Sequence, residues 1–518
     1  MKRLDYLLST VISYFGVIVV GLLSFGSLFS TYIIPVTYEE CSAVDIRYSF
    51  VSLILIPFLI WFLIAVVQKN KTINLDVVRI IGSLIILFVG LIWILLNDFH
   101  PVGDQETCLT LARALHDNDA ERFAHFSYLD RYPFQSGLVL YFYLIGLVFG
   151  YSNWAIFRLI NLIWLVIAYN YLYKIVSLLF KSRTVLFSIL IIPVLFIPFS
   201  FFSHFIYGNV PSFSLCLMAI YYQIKYLVVN REKKYLLLHL VLYFFALILR
   251  LNSLLFLLTS IFVWLTSKRP AQSTSIRIFV SVALVFVYLL ASVLPVNLIQ
   301  NSTKSNFSNN IPKVAWIAMG MQEGPRGSGW YNNYIEDAYW TSSGDTNTIS
   351  EVAGESIRSS LSHFASDPAY CLEFYLNKIL SQWSEPTFQT FWLTYTGYGP
   401  KPVDSVTGGL TECLDYDSVL QNSLRSGFLH KLIVVYLDAL QSVIYILAAC
   451  GIAHSRKRFG LVEWLPLVAF FAGLLFHILW EAKSLYVIFS FVMLIPYSGV
   501  GLSGLLKRSG SNAFSDHE

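Results

Sequence analysis

The sequence predicts an all-α, polytopic membrane protein of about twelve transmembrane helices, and three observations carry that expectation. The chain is 56% hydrophobic and only 13% charged over 518 residues, with a mean hydropathy of +0.64. Apolar runs of bilayer length recur near residues 10–34, 49–67, 76–96, 154–178, 184–202, 210–229, 235–249, 252–267, 276–296, 428–450, 461–480 and 484–503. Lys and Arg are shared unevenly between the connections. With the N-terminus inside, one side holds Lys2, Arg3, Lys69, Lys71 and the clusters at 174–183, 225–234, 268–277, 456–458 and 507–508. The short loops of the other side hold only Arg47, Arg250 and Lys483. By the positive-inside rule both termini are expected in the cytoplasm, in a multi-pass protein of the cell membrane.

The elements follow in order. The first apolar run begins directly after Met1-Lys2-Arg3 and lacks a small-residue cleavage site, so a retained signal anchor is expected. Residues 1–75 supply two helices, and 76–296 a transmembrane core whose first outer loop is 97–153. Residues 132–150 are apolar enough to cross, yet counting them as a span would put the clusters at 174–183 and 231–234 outside; they read as a helix lying at the outer interface. Arg250-Leu251-Asn252 divides 235–249 from 252–267, which fits a tight outer turn between two short helices rather than one long helix with Arg250 at mid-membrane. Residues 297–427 form a long polar outer segment rich in Gly, Ser, Asn and Trp, and 428–518 the last helices with a short cytoplasmic tail.

This composition argues against a soluble enzyme, and the dispersed net charge of +4 gives no reason to expect nucleic acid as a partner. The lipid bilayer is the expected surrounding. No internal repeat is evident, which disfavours transporters built from repeated halves. The six cysteines, at 41, 108, 216, 371, 413 and 450, show no metal spacing. An outer pair such as Cys371 and Cys413 is open to oxidation, but connectivity is not legible. Sequons at Asn301 and Asn306 lie on the outer side and arise often by chance.

The place to look for chemistry is the acidic stretch Asn97-Asp98-Phe99-His100-Pro101-Val102-Gly103-Asp104-Gln105-Glu106, set where an apolar run ends. Carboxylates at a membrane boundary are costly unless they face water or a partner. The expected topology brings to the same face Arg131 and Tyr132, then His204, Tyr207 and Asn209, then Arg250 and Asn252, and finally His477, Trp480, Glu481, Lys483 and Tyr486. Polar groups from five stretches of the chain on one surface point to a cavity with carboxylates for acid/base work and cations for an anionic ligand.

At these residues the chain resembles the polytopic glycosyltransferases of the GT-C fold that use polyprenyl-phosphate sugars, the superfamily of protein O-mannosyltransferases and the lipid A aminoarabinose transferase. The resemblance covers most of 76–503 and rests on layout and short motifs. These are Gly103-Asp104-Gln105-Glu106 opening a helix after a span, Tyr132-Pro133-Phe134-Gln135 before an interfacial helix, and Trp480-Glu481-Ala482-Lys483-Ser484-Leu485-Tyr486. The last is similar to a turn in wall-associated members from Gram-positive bacteria, where an Arg commonly stands in place of Leu485. The two helices before the acidic motif are an addition to the family pattern. Members often carry Asp-Glu where this chain has Asp104-Gln105. That argues against a metal held by this pair, so no cofactor is expected, although a divalent ion elsewhere stays open.

The resemblance implies transfer of a sugar from a polyprenyl-phosphate donor to an extracytoplasmic acceptor, a cell-envelope glycan, lipid or protein, with inversion. Asp104 would be the general base, with Asp98, Glu106 and His204 as further catalytic or acceptor-binding candidates. Arg250, Lys483 and Arg131 would hold the donor phosphate, and Tyr132, Tyr207, Asn209, Asn252, His477, Glu481 and Tyr486 would line the cavity. A phosphate leaves as a stable anion, so the leaving group needs cations rather than a second carboxylic acid.

Each assignment has a plainer rival. Gly103-Asp104 followed by Gln105-Glu106-Thr107 is also a helix-cap signature. Asp98 fits a span ending in water, and Arg250 a snorkelling boundary residue. His204 and His477 fit packed interface positions, and Glu481 with Lys483 a solvated turn. In the long outer segment, 315–321 and 327–334 fit either a sugar-stacking site or a packed loop, while 378–386 reads as an amphipathic interfacial helix. Two other functions remain: a transporter or lipid-carrier flippase, which would put polar residues near the midplane in comparable halves, and a polymerase or ligase of polyprenyl-linked glycans.

Overall fold

The computed structural model describes residues 2–36, 40–70, 72–267, 274–395 and 418–508. Helices dominate, and among the described residues the extended structure is one two-stranded ribbon, Tyr32–Ile33 against Ala43–Val44, and an isolated parallel bridge between Trp330 and Ala482. Six helices are long and apolar enough to cross a membrane: Leu4–Phe29, Ile46–Lys69, Leu75–Leu96, Trp154–Leu179, Thr274–Thr303 and Val419–Ser455. Three helix pairs, bent by 104°, 60° and 49°, raise the number to nine if each pair is one span. The protein is therefore an all-α, multi-pass membrane protein.

Helices stand at all twelve expected positions, but several are too short to count singly. Lys233–Leu249 has 17 residues, Leu254–Thr266 13 and Leu465–Leu479 15. At about 1.5 Å per residue these run roughly 20 to 26 Å, less than a hydrocarbon core of about 30 Å. Their ends are set by local breaks. Arg250 is extended (φ −156°, ψ 120°), so the expected turn between two short helices is present. The segment 132–150 forms a 3-10 turn, Pro133–Gln135, and then a helix, Ser136–Phe149, of 14 residues.

The outward faces explain the class. Phe50, Ile54, Phe58 and Trp61 on Ile46–Lys69, Leu84, Phe88 and Leu95 on Leu75–Leu96, and Phe279, Phe286 and Leu289 on Thr274–Thr303 are all exposed. Apolar surface this extensive is unfavourable in water and matched to lipid.

At the centre lies Phe428–Ser455, packed against Ile495–Arg508 and against the two N-terminal helices, Lys2–Phe29 and Ile46–Lys69. Small residues let the backbones touch: a Cβ at Gly451 would stand 2.0 Å from the Tyr497 carbonyl oxygen, and one at Gly501 1.9 Å from that of Leu447. Close approach of this kind is how membrane helices associate without a hydrophobic driving force. Gly451→Val must push the two helices apart. The expected cost is about 1–3 kcal/mol or more, read as a lower unfolding midpoint in detergent; an unchanged midpoint would refute the close contact.

The segment 297–395 has a core of its own, in which Ile311, Ala315, Trp316, Met319, Ile335, Tyr339 and Ile349 pack together. Its aromatics are largely spent on packing. Trp330 is fully buried with Nε1 donating to Ser381 Oγ at 2.9 Å, and Trp316 stacks on Trp480 at 5.8 Å. The expected helix across 378–386 is Pro368–Trp383, which buries Phe374 and exposes Leu372 and Leu376. Cys371 is partly buried, and Cys413 lies outside the described residues.

Candidate active site

The acidic stretch is shaped first by a buried arginine. Arg158, on Trp154–Leu179 and 1% exposed, holds the end of Leu75–Leu96: its Nη1 stands 3.1 Å from Asp98 Oδ1 and 3.5 Å from Asn97 O, and its Nη2 donates to Phe99 O. His204 donates Nε2–H to Asn97 O at 2.6 Å. Asp98 and His204 thus help fold the segment that presents the next turn, and Arg158 is a residue that sequence reasoning did not single out. Glu106 lies 3.5 Å from His100 Nδ1.

Asp104 begins the helix Asp104–Asp117, but the N-cap is Gly103, which makes no side-chain cap bond. Gly103 has φ 64° and ψ −139°, a conformation that side-chain-bearing residues rarely adopt. The Asp104 carboxylate instead reaches across the site. Its Oδ2 accepts the Tyr207 hydroxyl at 2.7 Å while the residue stays exposed. Gln105 is buried and accepts the Ile206 backbone N–H at 2.9 Å, which fixes the loop carrying Tyr207. The amide at this position therefore performs a positioning task. Among the described residues no group of three or more His, Cys, Asp or Glu is arranged to hold a metal.

Tyr207 is the hub. Gln135 donates to its hydroxyl, Tyr128 Oη lies at 3.5 Å, and the Arg250 guanidinium sits 4.1 Å from its ring centroid. Burial, and then the Asp104 carboxylate, hold the Tyr207 phenol well above its ordinary range, so it remains a donor. Arg250 Nε is buried without a hydrogen-bond partner. Asn209, Asn252 and Tyr486 join Arg250 around a small cavity of about 30 Å³. The turn that carries Arg250 also borders a larger apolar cavity of about 260 Å³, lined by Phe134, Ile248, Leu251, Tyr288, Pro295 and Trp316, with Lys313 at its edge.

The 481–486 turn supplies the other wall. Ala482 N–H donates to Gly329 O at 2.8 Å, docking the turn on the 297–395 segment. Lys483 Nζ stands 3.1 Å from Glu40 Oε2 and 3.5 Å from Glu481 Oε1, and Arg326 Nη1 lies 3.5 Å from the same Glu40 oxygen. Gln389 donates to Glu40 and accepts Leu485 N–H at 3.1 Å. Behind it, Glu385 accepts the N–H groups of Thr387 and Gln389 at 2.9 and 2.7 Å and the Ser484 hydroxyl at 2.8 Å. These bonds sustain Phe388 and Gln389 at φ 48° and 59°, an arrangement that costs on the order of 1–3 kcal/mol for each such residue. His477 packs on Tyr486 at 5.6 Å and donates Nδ1–H to Glu481 O at 3.4 Å.

Tyr132 adjoins this group through Tyr128, the two ring centroids 5.0 Å apart, but it and Arg131 are bonded elsewhere. Both bond to Glu336, and the Arg131 guanidinium lies 5.4 to 5.8 Å from the ring centroids of Tyr132, Tyr339 and Trp340. The structure thus gathers Asp104, Tyr207, Arg250, Asn209, Asn252 and Tyr486 into one site, bordered by Lys483 and Glu481. It commits Arg131 to an ion pair that docks Tyr334–Thr341. Glu40, Arg326 and Glu336 were not foreseen; the one available signal was the carboxylate of Glu40 shortly after the first apolar run.

Lys378 adds a titratable feature outside the spans. Fully buried on Pro368–Trp383, it donates to Gly320 O, and burial pushes its ammonium down from 10.5 to about 7 against the pull of Glu481. Between those two values the unfolded chain binds the proton and the folded chain does not, so stability rises with pH across that window. The unfolding midpoint is expected to increase from pH 7 to 9, and Lys378→Met to flatten the rise. An equal slope in the variant would exclude this lysine as its source.

Fold and site together define a multi-pass membrane protein with an acid–phenol–guanidinium cluster between its helices and a packed polar segment. Compared with protein-family models, with curated proteins and with solved structures, the chain finds no match.

Proposed function

We propose that this protein is an integral-membrane glycosyltransferase with a GT-C-like arrangement of twelve crossings and both termini in the cytoplasm. It transfers a sugar from a polyprenyl-phosphate donor to a hydroxyl acceptor on the outer face of the cell membrane. The observation that carries the reading is the geometry at Asp104: an exposed carboxylate, oriented by the Tyr207 hydroxyl at 2.7 Å, with Arg250 stacked on the same phenol and its Nε unpartnered.

In the proposed reaction Asp104 takes the proton of the acceptor hydroxyl as that oxygen attacks the anomeric carbon. The anomeric C–O bond to phosphate breaks on the opposite face, polyprenyl phosphate leaves with the electron pair, and configuration inverts. Arg250 receives the departing phosphate, its planar fork matching two phosphate oxygens. Lys483, already held by Glu40 and Glu481, contributes less charge than a free lysine would. The apolar cavity of about 260 Å³ is lined by Ile248 and Leu251 on either side of Arg250 in the chain, and this position next to the proposed phosphate-binding group supports a lipid-linked donor.

The test is to incubate purified protein with a panel of radiolabelled polyprenyl-phosphate sugars and to follow release of polyprenyl phosphate. Turnover of one donor, lost in Asp104→Asn, is expected. If the wild type turns over no donor, the enzyme reading falls and the transporter or flippase reading replaces it. Turnover only of oligosaccharide diphosphates would identify a polymerase or ligase instead.

A further inference from the structure

A second polar site lies away from Asp104, where the two N-terminal helices meet Phe428–Ser455. Asp438, on that helix and fully buried, sits within a candidate span. Its Oδ2 accepts the Ser52 hydroxyl at 2.5 Å, while its Oδ1 has no hydrogen-bond partner. The Thr31 hydroxyl is within hydrogen-bonding reach of the same carboxyl group, and the buried Ser49 joins the cluster through Thr31, their hydroxyls 2.7 Å apart. One turn further on, Gln441 is also fully buried, with both amide atoms unpartnered. Among the described residues no cationic side chain pairs with Asp438.

A buried carboxylate without a counter-charge costs several kcal/mol and persists only if something neutralises it. Two other buried ionisable side chains inside spans have partners for their polar groups, although Arg158 Nε has none. His239 Nδ1 donates to Ala219 O at 2.9 Å and its Nε2 accepts from Trp264 at 3.2 Å, and Arg158 pairs with Asp98. Asp438 is different: it combines an open carboxylate oxygen with neighbouring hydroxyls and has no donor sufficient to balance its charge. Oxygen ligands suit a hard cation, and one carboxylate balances one positive charge.

We propose that Asp438, with Thr31, Ser49 and Ser52, binds a monovalent alkali cation that ties the two N-terminal helices to Phe428–Ser455. Ser52 and Ser49 stand in the first two turns of Ile46–Lys69, and Thr31 is the second residue after Lys2–Phe29. The ion therefore closes a junction of three helices, and its binding energy adds to the stability of the fold. This site is independent of the reading given to Asp104.

The experiment is thermal unfolding of the purified full-length protein in detergent, with NaCl or KCl replaced stepwise by N-methyl-D-glucamine chloride at constant ionic strength. The expected result is a saturable rise of the midpoint, about 2 °C or more, with one of the alkali cations. Asp438→Asn is expected to abolish the rise, and Ser52→Ala to weaken the apparent ion affinity by a factor on the order of 10. If Asp438→Asn aggregates on gel filtration, Ser52→Ala and Thr31→Val, each eluting as wild type does, decide the matter through a reduced response. An undiminished response in the variants overturns the proposal. So does a wild-type midpoint that treats alkali and organic cations alike, or one indifferent to them that rises only on acidification, the behaviour of a protonated carboxyl.

Discussion

Asp104→Asn is expected to reduce single-turnover transfer by about 10²- to 10⁴-fold, the usual contribution of a positioned general base. The substitution is isosteric, and the Asn carbonyl still accepts the Tyr207 hydroxyl that now meets Asp104 at 2.7 Å. Because the N-cap of this helix is Gly103, and Asp104 makes no cap bond, the change removes no helix-capping interaction. Unfolding midpoint and donor affinity should therefore stay close to wild type while the chemical step fails. Quench-flow release of labelled polyprenyl phosphate, beside donor binding by filter assay, separates the two. A variant that transfers at the wild-type rate would remove Asp104 from the mechanism.

Arg250→Ala should act on the other end of the reaction. The guanidinium stands on the Tyr207 ring at 4.1 Å with Nε unpartnered, and no carboxylate among the described residues forms an ion pair with it. Charge-assisted bonds to a phosphate are worth about 1.5–3 kcal/mol each. Loss of the fork should raise the donor KM by roughly 10- to 100-fold, with a further fall in kcat because the phosphate carries more charge as it leaves. Arg250→Lys should recover part of the KM, since a point charge remains without the planar fork. If KM is unchanged and only the unfolding midpoint falls, Arg250 serves packing on Tyr207 and the phosphate site lies elsewhere.

Much of this arrangement was legible before the fold was known. The helix opening at Asp104 and the break at Arg250 follow from local pattern: where an apolar run stops, where a glycine precedes an acidic turn, where a charge interrupts two short runs. The structure bears out both. Local pattern also led to twelve crossings, whereas length and composition of the observed helices support six to nine. Of the twelve, Lys233–Leu249, Leu254–Thr266 and Leu465–Leu479 are short and Asn209–Val228 is not among the candidate spans, while one of the bent pairs, Ala120–Arg131 with Pro133–Phe149, takes in the segment expected at the interface.

The partners of the charges were a different matter. Lys483 was expected as a phosphate ligand and proves to be shared by Glu40 and Glu481, while Arg131 is committed to Glu336. Gln389 reaches Glu40 across 349 positions of sequence, and Asp438 meets Ser52 across 386. Hydrophobic period and charge asymmetry act within a helix or between neighbouring loops, so they are written in consecutive residues. Which carboxylate neutralises which cation depends on how distant loops pack, and a one-dimensional pattern holds no record of that. The membrane class, the helix-opening acidic turn and the Arg250 break thus belong to the chain itself. The Tyr207 hub, the pairing of Lys483 and Arg131 with carboxylates, and the burial of Asp438 against Ser52 arise only when helices far apart in sequence close on one another.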